Sequence, residues 1–261
     1  MTGPGPLLLA VAHGSSDPAA VGAHRALLGR IRAAAPGVEV RLGYLGHTDP
    51  PVLDVLRECA ATGRNAVVVP LLLVAASHAR GDIPAAIRAA RRDGVRFDCA
   101  RVLGPHPLLL RAIHGRLAAA GVPASAALVL AAAGSADPDA NAEVAGTARL
   151  LWEWRGGMAP VEPAFASATG PSVAEAVARL RRLGHGAIAM ASYFLAPGRL
   201  LSRAAAGANG LVATEPLADT DEVAALVLER YAEALVGPAA LSGDTGMYRA
   251  PWPGSRSDPP A

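Results

Sequence analysis

The chain has 261 residues, enough for one large or two ordinary domains, and 52% of them are hydrophobic, so a large core can be buried. Aromatic residues make up only 4%, which leaves that core to Ala, Val and Leu. A formal net charge of +2, with the arginines scattered, gives no reason to expect nucleic acid as a partner, and the tight apolar run at residues 66–76 is about half the length of a membrane span.

In chain order, residues 6–12 form an apolar run that ends at His13-Gly14-Ser15, which predicts a first strand. Ser16 or Asp17 then caps a helix with Pro18 near its start, continuing to about residue 35. The first strand follows no positive n-region, so no signal peptide is expected and a cytoplasmic protein is the reading. Residues 38–45 alternate as a second strand, and Thr48-Asp49-Pro50-Pro51 opens a helix that runs to Gly63. A third strand at 66–73 exits through Ser77-His78-Ala79-Arg80-Gly81 into a helix at 82–93, with Asp82 as its cap and Pro84 in its first turn. A fourth strand at 95–103 and a helix at about 106–120 complete this half. Cys59 and Cys99 have no motif spacing and are expected to be reduced core thiols.

After Gly121-Val122-Pro123 the pattern starts again. Strands are predicted at 127–133, 161–166, 187–195 and 211–214, with helices at 138–153, 171–184, 197–206 and 219–235. The stretch from Gly237 is rich in Gly, Pro and Ser and is expected to be a disordered tail. The second half is a degenerate copy of the first. HGSSDP at 13–18 matches AGSADP at 133–138, and residues 50–63 match 171–184 without a gap. Residues 67–80 align with 188–201. The predicted fold is α/β: two flavodoxin-like lobes related by internal duplication, each a parallel sheet with helices on both faces, at 1–122 and 123–236, with a cleft between them.

On this alignment His13 faces Ala133, and His78 faces Arg199. The repeat keeps the fold and drops both histidines. Both lie just past predicted strand ends in one lobe, and strands one and three of such a sheet are neighbours, so both rings can serve one crevice. Neutral imidazoles suit borderline divalent metals, and near neutral pH they also accept protons. Inserting a metal ion into a tetrapyrrole uses both abilities, because the macrocycle loses two protons as the metal enters. His47, after the second strand, is placed to reach the same crevice. His24, His106, His114 and His185 fall on helices or turns and read as solvated or structural.

These pieces resemble a known family. LLLAVAHGSSDP, GYLGHTDPPVLDVL and VVVPLLLVAASHARGDIP, with the spacing from HGS to H-x-x-x-D-I-P, are similar to the sirohydrochlorin chelatases of the CbiX/SirB type, in their long two-lobe form. The resemblance implies that His13 is a metal ligand and proton acceptor, and that His78 is the second metal ligand. It lays Leu73, Val74, Ala75, Ala76 and Ser77 along the tetrapyrrole face. It implies Co2+ or Fe2+ as substrate and no permanently bound cofactor. The partner it implies is sirohydrochlorin, whose many carboxylates call for cations. Arg80, Arg199 and Arg203 are the candidates. Two positions depart from the family pattern. Many members carry Glu after the second strand where this chain has Gly46, which would border the substrate, and Ser77 stands where a Gly usually precedes the histidine.

Histidine phosphatases also end a strand in His-Gly but need Arg before it, where this chain has Ala12. No G-x-G-x-x-G or P-loop supports nucleotide binding. The other reading left open is a metal- or tetrapyrrole-binding protein without turnover. Two lobes in one chain make a monomer sufficient for a complete cleft.

Overall fold

A computed structural model describes residues 5–46, 48–74, 95 and 97–236. The predicted helix at 82–93 and the tail from Gly237 lie outside the described residues. The first half contributes β1 (Leu7–Ala12), α1 (Pro18–Ala34), β2 (Val40–Tyr44), α2 (Val52–Ala61), β3 (Ala66–Pro70), β4 (Phe97–Cys99) and α3 (Pro107–Ala119). The second contributes β5 (Ala127–Ala132), α4 (Pro138–Trp154), β6 (Val161–Phe165), α5 (Val173–Arg182), β7 (Ile188–Ser192), α6 (Arg199–Gly207), β8 (Val212–Ala213) and α7 (Asp221–Val236).

Each half builds a parallel four-stranded sheet, in the orders β2-β1-β3-β4 and β6-β5-β7-β8. Central strands of such sheets are covered on both faces, which is why LLLAVA and ALVLAA are unbroken apolar runs rather than alternating ones. Alternate residues serve different cores. Leu7, Leu9 and Val11 pack with Val55 and Leu56 of α2. Leu8, Ala10 and Ala12 face inward, in one continuous core with Leu128, Leu130 and Ala132 of the other sheet.

The helices in that shared core change sides. Helix α3 follows β4 yet packs against β7 and α4, while α7 follows β8 yet packs against α1, β3 and β4. Polar ties fix α7 there. The Tyr231 hydroxyl donates to the Pro6 carbonyl at 2.6 Å. Arg230, only 2% exposed, donates to the carbonyls of Val102 and Leu103 and pairs with Glu233 at 3.0 Å. A buried guanidinium is tolerated because its donors are met and its charge is paired. At the start of α3, His106 accepts from the Leu108 N–H through Nδ1 and meets Glu229 of α7 through Nε2 at 3.2 Å. Residue 122 thus divides the sequence repeats, while the packing runs across it.

The ladders correct one part of the repeat alignment. Leu7 pairs with Ala66 in the first sheet, and its counterpart Ala127 pairs with Ile188 in the second. Val67 therefore corresponds to Ala189, one residue away from the sequence-based match. The shift holds through Leu71, whose N–H meets Val11 as the Tyr193 N–H meets Ala131, while His78 lies outside the described residues. Two unbroken apolar runs slide past each other without changing pattern, so hydrophobicity could not fix this register. The match of His13 to Ala133 stands, since Ala12 pairs with Tyr44 as Ala132 pairs with Phe165. Cys59 is buried as expected, but Cys99 is exposed on the short strand β4 and is not a core thiol.

One polar pair marks the first half. His24 of α1 is buried beside Tyr44, with ring centroids 5.9 Å apart. The corresponding positions in the second half hold Val144 and Phe165, both core residues. Among the described residues, His24 Nδ1 and the Tyr44 hydroxyl have no hydrogen-bond partner. Burial lowers the His24 pKa to about 4. Above about pH 6.5 the imidazole is neutral in both folded and unfolded chains and costs nothing. Between pH 6.5 and 4 the unfolded chain binds a proton that the native state excludes, so stability falls with falling pH. This residue is expected to remove about 2 kcal/mol between pH 8 and pH 5. In His24→Val, denaturant unfolding at the two pH values should show a drop smaller by that amount. An unchanged drop would mean that His24 is protonated in the native protein.

Candidate functional site at the exit of β1 and β3

Strand order reverses between β1 and β3, and in open α/β sheets ligands settle at the carboxyl ends of the strands at such a switch point. His13 is the first residue past β1 and is exposed there. The Leu71 N–H donates to the Val11 carbonyl at 2.8 Å, so the chain leaving β3 runs beside the one leaving β1. Leu73 and Val74 follow, both half-buried. The segment assigned to the substrate face thus begins two residues after Leu71, which is bonded to the end of β1, from which His13 follows. His78, Ala75, Ala76, Ser77, Arg80 and His47 lie outside the described residues.

The loop carrying His13 is held from both ends. Asp17 caps α1, its carboxylate accepting from the Ala19 N–H at 2.9 Å. Across from it, the β2–α2 loop supplies two contacts. The Gly46 N–H donates to the His13 carbonyl at 2.9 Å. The Thr48 hydroxyl accepts from the Ser15 N–H at 3.0 Å and donates to the Ser15 carbonyl at 3.1 Å. Gly14 adopts a φ of 100°, and a Cβ there would come within 3.1 Å of Thr48 Oγ1. The glycine of His-Gly-Ser is thus needed both for its backbone angle and for the approach of Thr48. A side chain at position 46 would place its Cβ 3.0 Å from the His13 carbonyl oxygen. Glycine there sits against the histidine loop, and a larger residue would have to push that carbonyl aside.

The second half contributes at the seam. Tyr193, just past β7, is buried and donates its hydroxyl to the Leu73 carbonyl at 3.3 Å. Burial pushes its pKa well above the usual phenol range, so it stays a neutral donor. Gly104 closes the same seam, since a Cβ on it would lie 2.2 Å from the Leu73 oxygen and 2.8 Å from the Tyr193 hydroxyl. Arg199 is exposed in the first turn of α6. Arg203, further along α6, borders a cleft of about 180 Å³ lined also by Ser167, Thr169 and Ser172. Among the described residues, no three His, Cys, Asp or Glu side chains gather as a metal-binding group. No described helix is long and apolar enough to cross a membrane.

The sequence profile of the CbiX family matches residues 7–120 and again 127–234, one match on each repeat. The chain belongs to the CbiX family. CbiX relatives carry named activities. A protein of Priestia megaterium described as sirohydrochlorin cobaltochelatase is 33% identical over 205 residues, covering 75% of this chain and 66% of that one. A protein of Bacillus subtilis described as sirohydrochlorin ferrochelatase is 33% identical over 182 residues, covering 67% of this chain and 68% of its own length. The chain thus spans about two thirds of the length of these curated relatives. The solved structure of SirB from Bacillus subtilis with Fe3+ has a TM-score of 0.74 at 29% identity, covering 88% of this chain and 95% of that one. The CbiX fold of this chain is thus shared over nearly all of a two-lobe structure.

Sequence reasoning named His13, Gly46 and Leu73 but missed the residues that hold them. Thr48 was noted only as part of a helix-opening tetrapeptide. Tyr193 reads as an aromatic at a strand end, and Gly104 as one glycine of many. No local signal marks any of these, because each acts on a chain segment distant in sequence.

Proposed function

We propose that this protein is a chelatase that inserts Co2+ or Fe2+ into sirohydrochlorin, the metal entering as substrate and no cofactor staying bound. The observation that carries this reading is the place of His13. It stands exposed at the switch point of the first CbiX repeat, where the second repeat has Ala133. There its one free ring nitrogen first holds the incoming metal and, once the metal has passed to the macrocycle, takes one pyrrole proton, the other passing to solvent. His78 supplies the second nitrogen ligand from the loop after β3. Leu73 to Ser77 and Gly46 border the macrocycle, and Arg80 and Arg199 receive its carboxylates. The catalytic lobe is the 1–122 repeat. The protein works in the cytoplasm, without nucleic acid or membrane, and a monomer suffices because one chain carries both repeats.

The test is metal insertion itself. Purified protein is mixed anaerobically with sirohydrochlorin and either metal, and the absorbance change is followed. Acceleration over the spontaneous rate is expected. A rate equal to the spontaneous one, with sirohydrochlorin still tightly bound, would leave a binding protein without turnover.

A further inference from the structure

We propose that Thr48 is a positioning residue that sets the place of His13, by a device specific to the lobe that carries the histidine. The proposal rests on the chelatase reading of His13. The two repeats provide a comparison within one chain. In the second repeat the equivalent loop is closed by Asn141, which lies on its own helix α4. The Asn141 carboxamide oxygen accepts from the Ser135 N–H at 3.0 Å, and its amide donates to the Ser135 carbonyl at 2.7 Å. In the first repeat the same two backbone groups, now of Ser15, are satisfied by Thr48 from the β2–α2 loop. Counting from Pro18 and Pro138, the residue matching Asn141 is Val21, which offers no hydrogen bond. Thr169, the counterpart of Thr48, does not reach across either, and its N–H turns back to the Ser167 carbonyl at 2.8 Å.

One pair of backbone groups is therefore met by two unrelated side chains. Both lobes join the loop to the neighbouring strand's exit at one carbonyl: the Gly46 N–H donates to His13, and the Ser167 N–H and hydroxyl donate to Ala133, each at 3.0 Å. The groups of the next serine are met differently, from the loop's own helix through Asn141 in the lobe without the histidine, and from the β2–α2 loop through Thr48 in the lobe with it. His13 sits between these anchors. Its reach toward a metal is thus fixed relative to the β2–α2 loop rather than to α1 alone, and small displacements of a reacting group are costly in rate.

The experiment uses full-length protein and three variants. Thr48→Val removes both hydrogen bonds at nearly constant shape. It should weaken Co2+ binding in isothermal titration and lower kcat/KM for cobalt insertion by about tenfold each. Amide hydrogen exchange should show the Ser15 N–H losing its protection. Thr48→Ser, which keeps the hydroxyl, should stay within about twofold of wild type on both readouts. Val21→Asn added to Thr48→Val should rebuild the clamp of the second repeat, restoring Ser15 protection and most of the cobalt affinity. Thr48→Val with wild-type affinity and rate overturns the proposal. So does a double variant that regains Ser15 protection without regaining affinity. If Val21→Asn fails to restore protection, the contrast between Thr48→Val and Thr48→Ser decides alone. Wild-type protein that neither binds cobalt nor accelerates insertion overturns the chelatase reading instead, and the Ser15 exchange result still reports whether the clamp exists.

Discussion

Alanine at position 13 is expected to lower the rate of metal insertion by roughly 10²–10⁴-fold, the range seen when a positioned acid–base group is removed. The fold should survive. The His13 side chain is exposed, and the loop keeps the bond from the Gly46 N–H to the carbonyl of residue 13 and the bonds from Thr48 to Ser15 whatever side chain stands there. Ala133 shows that alanine is compatible with this strand end. The measurement is paired. Insertion kinetics with sirohydrochlorin and cobalt report the chemistry, and thermal unfolding reports the fold, with Tm expected within about 2 °C of wild type because surface substitutions change stability by only about 0.5 kcal/mol. Full activity in His13→Ala would remove this residue from the site.

The largest loss of stability is expected from a glycine. In Gly104→Ala the added methyl falls 2.2 Å from the Leu73 carbonyl oxygen and 2.8 Å from the Tyr193 hydroxyl. Both partners are themselves constrained, since Tyr193 is buried and donates to that same Leu73 oxygen. Overpacking of this kind costs about 2–4 kcal/mol once backbone has to move, which for a chain of this size lowers Tm by roughly 6–12 °C. Because the displaced carbonyl belongs to the chain leaving β3, insertion should also slow in the protein that remains folded. Gly115→Ala on α3 is the control. A methyl there meets nothing within 4 Å, and alanine in a helix should be stabilising by about 0.5–1 kcal/mol. Equal melting of the two variants would mean that the seam at Leu73 is not tight.

Much of this molecule was legible in the chain because its physics is local. Asp17 and Asp137 announce helix starts by capping, and the unbroken runs at β1 and β5 announce central strands buried on both faces. The repeat was visible in residues 50–63 and 171–184 because an amphipathic helix carries a phase. The apolar run at β3 carries none, and there the alignment slipped by one. His13 was readable as a site residue from its place after a strand and its absence from the copy. Thr48, Tyr193 and Gly104 were not, since each takes its meaning from a segment brought close only by folding. The same holds for Arg230, whose burial makes sense only beside the Val102 and Leu103 carbonyls, 128 and 127 residues earlier in the chain.

The exchange of α3 and α7 between the halves has a mechanical consequence. With α7 covering β3 and α3 covering β7, residues 121–126 cannot act as a hinge for a clamshell. Swinging the sheets apart would peel each cover helix from its strands and wet a core that runs without a break from Leu8 to Leu128. A ligand at the strand exits therefore meets a frame that the two sheets hold in common, with Thr48 tying the exit of β1 to the β2–α2 loop and Tyr193 tying the exit of β3 to the second half.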